Sequence, residues 1–253
     1  MTQSAIIDIH THFLDYPEFD DPFLSMSQER GIKLAISCLG LEGDLQINPT
    51  IEMCRACNDK IVELMPRFPD MLYPFCFINP LNGKDAIDEI RRCVEDHGMS
   101  GIKLWVACRA NNEAVYPIAE EAIRLDIPIL QHSFLRHLDI NPGESKPEDV
   151  AELARRYPDM KMIMAHMGFF WRRGVMAVQD CPNVRVDTSG FDPENGSADF
   201  AVETLGVDRV LFGSDGPGRD LLYQLGKVMA AKLSDEQQAM VLSGNAQRLL
   251  GRA

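Results

Sequence analysis

Five side chains in this sequence are of the kinds that build a metal centre. They are His10 and His12 in Asp8-Ile9-His10-Thr11-His12, His132 in Leu130-Gln131-His132, His166 in Ala165-His166-Met167-Gly168, and Asp215 in Phe212-Gly213-Ser214-Asp215. Imidazole nitrogens and carboxylate oxygens ligate divalent transition metals. Residues two apart on a strand share a face, so His10 and His12 can reach one ion. Asp8 has the same parity one layer deeper, where it could support a ligand. An isolated H-x-H is a weak signal, and a lone histidine is more often a satisfied structural residue. Here four of the six histidines and an acid each close a short apolar run. That coincidence points to a metal site.

The runs that position these residues read as strands over 5–12, 32–39, 72–79, 101–106, 127–132, 160–166, 184–189 and 209–215. Several are continuously apolar, as suits strands covered on both faces. Between them, 49–68, 85–96, 113–125, 147–157, 170–179, 197–205 and 221–232 carry apolar residues at three- and four-residue spacing and read as helices. Ser234, with Gln237 three residues on, forms a capping-box pattern that opens a last helix. Alternating strands and helices in a chain of 253 residues predict a (β/α)8 TIM barrel. A doubly wound open sheet would want a glycine-rich loop after its first strand, where this chain has two histidines. No linker or repeat divides the chain, so residues 1–253 read as one domain. In a barrel of this kind the C-terminal strand ends form the active site, and the five residues fall there.

Composition narrows the function classes. The formal net charge of −13 repels phosphate backbones and disfavours nucleic acid as a partner. No apolar run is long enough to span a bilayer, and the N-terminus shows no basic patch followed by an apolar stretch. The reading is a cytoplasmic protein acting on a small molecule. Seven cysteines, an odd number scattered through apolar segments, fit reduced buried thiols. Cys54 and Cys57 form a C-x-x-C inside a helical pattern with no partner pair at zinc-site spacing, so they read as packing. His97, at a helix end, and His137, in a loop, are weaker candidates.

The strand-end set resembles the amidohydrolase superfamily, which carries H-x-H on strand one, histidines on strands five and six, and aspartate on strand eight. Gly101-Ile102-Lys103-Leu104, Ala165-His166-Met167-Gly168, Asp187-Thr188-Ser189-Gly190, Phe212-Gly213-Ser214-Asp215 and Gly244-Asn245-Ala246 narrow the resemblance to the branch that includes aminocarboxymuconate semialdehyde decarboxylase. That branch often has an aromatic residue after the strand-eight aspartate. Here Gly216 and Pro217 follow, which is expected to open space at the rim.

The resemblance implies that His10, His12, His132 and Asp215 hold one divalent ion, with zinc best suited to the ligand set. It further implies that Asp215 orients a metal-activated water and takes its proton, while His166 polarises the substrate or acts as general acid and base. Lys103 has three readings: a modified lysine bridging a second ion, a holder of an anionic substrate group, or a buried ion-pair partner. Trp105, Arg109, Phe134 and Arg219 are the expected substrate contacts, with Phe169, Phe170, Trp171, Arg172 and Phe191 also near the rim. The leading expectation is hydrolysis of an amide, lactone or ester. The alternative is a lyase that decarboxylates or hydrates an aromatic or muconate-type acid from the same site, and a non-catalytic barrel is the third. A homodimer is implied only by the family.

Overall fold

The computed structural model describes residues 6–135, 141–190 and 195–251. The apolar runs become eight parallel strands in one sheet: β1 (Ile7–Phe13), β2 (Lys33–Cys38), β3 (Leu72–Ile78), β4 (Gly101–Leu104), β5 (Ile129–Gln131), β6 (Met162–Met164), β7 (Val184–Asp187) and β8 (Val210–Leu211). Each pairs with the next in sequence order. The ring closes where Ile9 N donates to Phe212 O at 2.9 Å, Asp215 N to His10 O at 2.8 Å, and His12 N to Gly216 O at 2.7 Å. This is the expected (β/α)8 barrel.

Helices cover the outside: α1 (Pro17–Glu29), α2 (Ile51–Leu64), α3 (Lys84–Arg91), α4 (Tyr116–Arg124), α5 (Pro147–Arg156), α6 (Trp171–Ala177), α7 (Ser197–Leu205), α8 (Leu221–Met229), α9 (Asp235–Ala239) and α10 (Asn245–Leu250). The expected capping box is present, with Ser234 accepting from Gln237 N and the Gln237 side chain accepting from Ser234 N. Cys54 and Cys57 are buried free thiols on α2. No described helix is long and apolar enough to cross a membrane.

Two features depart from the sequence reading. Helix α1 has no counterpart there, because Pro17 and Pro22 interrupt the apolar spacing that marks the others. Pro17 is tolerated in the first turn, where no intrahelical N–H is needed. Strands four to eight also stop short of the ends of the sequence runs. Their last residues leave the sheet, and His166 (φ 60°) and Asp215 (φ 64°) adopt left-handed backbone. The residues that end each run therefore turn into the mouth instead of extending the ladder.

Apolar packing falls into two regions. One lies between the barrel and its helices and includes Leu34, Ile36, Ile61, Ile102, Met162 and Val186. The other fills the barrel floor with Ile7, Ile9, Tyr73, Phe75, Leu130, Ile163 and Leu211, packed with Ala246 and Leu249 of α10. The floor is tight: a Cβ on Gly101 would lie 2.7 Å from the Phe75 ring. Only glycine lets β4 approach that ring so closely, two residues below Lys103.

Candidate metal centre

A slip in register sets the geometry of the first strand. Pairing of β1 with β2 runs Asp8↔Leu34 and then Thr11↔Ile36, so β1 carries one extra residue, a β-bulge. Ile9 therefore joins the apolar floor while His10 and His12 both reach the mouth. The bulge overrides simple alternation for Asp8. Its Oδ1 accepts from the backbone N–H groups of His10 (3.2 Å) and Ser214 (2.9 Å) and touches no imidazole. Asp8 thus ties the β1 backbone to that of the β8 end, and its support of the site runs through main chain. Burial pushes its carboxyl up to about 8.

Three donor atoms converge above this tie. His10 Nε2 and His12 Nε2 lie 3.2 Å apart, and Asp215 Oδ1 is 3.5 Å from the first and 3.3 Å from the second. A tetrahedral ion with bonds of about 2.0–2.1 Å places its ligand atoms about 3.3–3.4 Å apart. His10, His166 and Asp215 also offer ligand atoms within 4.8 Å of one another. His132 stands beside His166, with its Nδ1 3.2 Å from His166 Nε2.

The outer nitrogen of each proposed ligand histidine is already engaged. His10 Nδ1 meets Asp187 Oδ2 at 2.9 Å, His12 Nδ1 meets Ser37 Oγ at 3.1 Å, and His132 Nε2 meets Glu144 Oε1 at 2.9 Å. A neutral imidazole has one N–H, and these oxygens call it outward. Assigned in this way, the inner nitrogens carry lone pairs that converge on the Asp215 carboxylate. Burial holds His12 down to about 4, with Lys103 adding to the effect, and also lowers His132 and His166. Burial would raise Asp215, but in acid, where the carboxyl titrates, a hydrogen bond from His12 and the positive charge of the protonated rings around it outweigh burial and keep the carboxyl well below its usual range. The lowered rings of His12, His132 and His166 thus stand neutral around an anion. A divalent cation fits such a donor set.

Lys103 is fully buried on β4, and its Nζ donates to His10 Nε2 at 2.7 Å. Burial lowers its ammonium to about 8, against the opposing pull of Asp215 and Asp187. His166 is fixed at both ends: its backbone N–H donates to Asp187 Oδ1 at 2.9 Å, and its Nδ1 lies 2.9 Å from Ser189 Oγ. Asp187 thereby orients His10 and anchors the left-handed turn at His166. Gly213 makes room for this, since a Cβ there would lie 3.1 Å from both the Asp187 and His10 side chains.

A cavity of about 260 Å³ opens over the cluster. Its lining is polar at His12, Lys103, His132, His166 and Asp215, apolar at Leu14, Leu39, Leu45 and Trp105, and completed by Asn141, Glu144, Gly218 and Arg219. Of the expected substrate contacts, Lys103, Trp105 and Arg219 line this cavity. Arg109 is not on the wall, because its guanidinium donates to Pro142 O at 3.3 Å. Phe134 is buried behind the wall, stacked on His132 with ring centres 5.7 Å apart and on Phe169 at 4.1 Å. Trp171 and Arg172 pack on Phe200. His137 and Phe191 lie outside the described residues. Gly216 does not open the rim: a Cβ there would meet the Phe23 ring of α1 at 2.4 Å.

The sequence reading gave Asp187, Ser189, Ser37 and Glu144 no role. Asp187 stands in the Asp187-Thr188-Ser189-Gly190 segment near the end of the seventh run, so its place close to a strand end could have found it. Glu144 lies in an irregular loop and has no such signal.

A sequence model of the amidohydrolase family matches residues 7–252, and the chain belongs to that family. The chain is 23% identical to the gamma-resorcylate decarboxylase of Polaromonas sp. (strain JS666 / ATCC BAA-500), over 93% of this chain and 90% of that protein. Its fold is similar to that of a 2,6-dihydroxybenzoate decarboxylase solved with 2,6-dihydroxybenzoate, with a TM-score of 0.77, 18% identity and 99% of each chain covered. It also matches a dihydroxybenzoic acid decarboxylase from Polaromonas sp. JS666, solved with manganese and the inhibitor 2-nitroresorcinol (TM-score 0.75, 20% identity, 98% of each chain).

Proposed function

We propose that this protein is a divalent-metal-dependent lyase that removes the carboxyl group of a small hydroxylated aromatic acid as carbon dioxide. The observation that carries the reading is the cavity of about 260 Å³, which the donor cluster lines together with Leu14, Leu39, Leu45 and Trp105. That space suits a single substituted ring. The decarboxylase relatives favour this lyase reading over the hydrolysis that the residues alone suggested.

His10, His12, His132 and Asp215 would hold the ion, which when bound supplies Lewis-acid stabilisation of charge developing on the substrate oxygens. Zinc suits three imidazoles and a carboxylate. The manganese in the Polaromonas structure makes that ion the second one to test. Trp105, Leu14, Leu39 and Leu45 would grip the ring faces, and Lys103 and Arg219 would attract the carboxylate. Carbon dioxide leaves with no net electron transfer, so the ring carbon must gain one proton in its place. His166 and Asp215 border the cavity and are the groups assigned to relay that proton from water to the ring carbon.

The test is carbon dioxide release from protein reconstituted with zinc or manganese and supplied with mono- and dihydroxybenzoates, beside a panel of amides, lactones and esters. Carbon dioxide without net water consumption is the expected result. Turnover confined to the amide, lactone or ester panel overturns the lyase reading. Metal analysis of the same samples assigns Lys103: one ion per chain fits the substrate or ion-pair role, and two tightly bound ions assign it to a bridge.

A further inference from the structure

We infer that Glu144 is a positioning residue that makes His132 a ligand through Nδ1, by holding the Nε2 proton of that ring on its carboxylate. The inference rests on the metal-centre reading above. His10 and His12 each turn Nε2 inward and Nδ1 outward. His132 is reversed, with Nε2 on Glu144 and Nδ1 toward His166. Geometry decides this: a neutral ring has one proton, and the Glu144 oxygen 2.9 Å from Nε2 is an acceptor that draws the proton to that nitrogen.

The loop is built to deliver that carboxylate. Ser133 and Ser145 form a parallel bridge, Phe134 N donates to Ser145 O at 2.8 Å, and Ser145 Oγ accepts from Ala110 N at 2.9 Å. Gly143 is pressed against the segment that follows β4, since a Cβ there would lie 2.1 Å from Val106 O. Only glycine permits that approach, and the next residue reaches His132. Glu144 N donates to Asn141 O at 2.9 Å, closing the turn. Phe134 holds the flat of the imidazole with an interplanar angle of 3°, so the ring's plane and its edge are both set. Asp187 does for His10 from β7 what Glu144 does for His132 from a loop.

The experiment uses full-length protein with Glu144→Leu, and Glu144→Gln as the near-isosteric variant that can still offer an oxygen to Nε2. Two readouts are taken. Nitrogen-15 NMR of the metal-free protein reports which His132 nitrogen carries the proton. Chelator competition with Co²⁺, and its visible spectrum, report affinity and ligand geometry. The wild type is expected to show the Nε2–H tautomer. Glu144→Leu is expected to lose that preference and to bind Co²⁺ about 10–100-fold more weakly with an altered spectrum, the usual cost of losing an outer partner of a ligand histidine. Glu144→Gln is expected to fall between the two. A wild-type His132 protonated at Nδ1, or a Glu144→Leu protein with wild-type affinity and spectrum, overturns the assignment. A wild type that takes up no Co²⁺ overturns this and the metal-centre reading together. Intact Glu144 effects in a protein that releases no carbon dioxide overturn only the decarboxylase reading.

Discussion

The floor and the mouth of this barrel are built from the same strands and obey opposite rules. On the floor, Ile7, Ile9, Phe75, Leu130, Ile163 and Leu211 meet by shape alone, and α10 packs against them. Nearer the C-terminal ends of the barrel strands, His10, His12, Lys103 and Asp187 are buried polar groups linked by hydrogen bonds through His10, and the buried His132 is held by Glu144. The floor gains from burial. The mouth loses by it, as the lowered histidines and lysine record. A site rich in desolvated donors is costly without a cation and ready to bind one. The barrel thus keeps its stability and its chemistry in separate layers, with Asp8 and Gly101 at the seam.

Variants can break this division. At the mouth, Asp215→Asn is expected to keep the fold by circular dichroism and lower turnover by about 10²–10⁴-fold, the range for loss of a general acid or base. Undiminished turnover removes Asp215 from the mechanism. The floor reverses the pattern: Phe75→Ala should cost about 3–5 kcal/mol in denaturant unfolding while leaving metal affinity near wild type. A large loss of affinity in that variant would mean that the layers are not separable. Asp187→Asn should weaken metal binding by about 10–100-fold through His10, with a smaller effect on unfolding.

The last test lies at the seam and reads a dependence on pH. The Asp8 carboxyl is raised to about 8 by burial, so it stays protonated in the folded chain over a range where the unfolded chain ionises. Its contribution is fully present below the unfolded value of about 3.9 and is lost as pH rises through about 8. Unfolding of metal-free Asp8→Asn, which cannot ionise, should therefore gain on wild type between those limits and level off above them. A difference between the two proteins that does not change with pH would contradict a neutral buried Asp8.

Much of this was legible before any fold was known. Continuous apolar runs identified the barrel strands, because strands buried on both faces leave little room for polar residues. His10, His12, His132, His166 and Asp215 stood out because they end such runs. Alternation failed at Asp8, since a bulge is a matter of pairing with β2 and leaves no mark on β1 alone. Helix α1 escaped notice because two prolines hide it, and the space expected beside Gly216 is filled by Phe23 of that helix.

The sequence by itself therefore determined the barrel and the kinds of donor at its mouth, since both follow from local pattern. Tertiary structure alone decided which nitrogen of each imidazole faces inward. Asp187, Ser37 and Glu144 make that choice from other strands and a loop, and hydrogen-bond direction across such distances depends on where the chain returns.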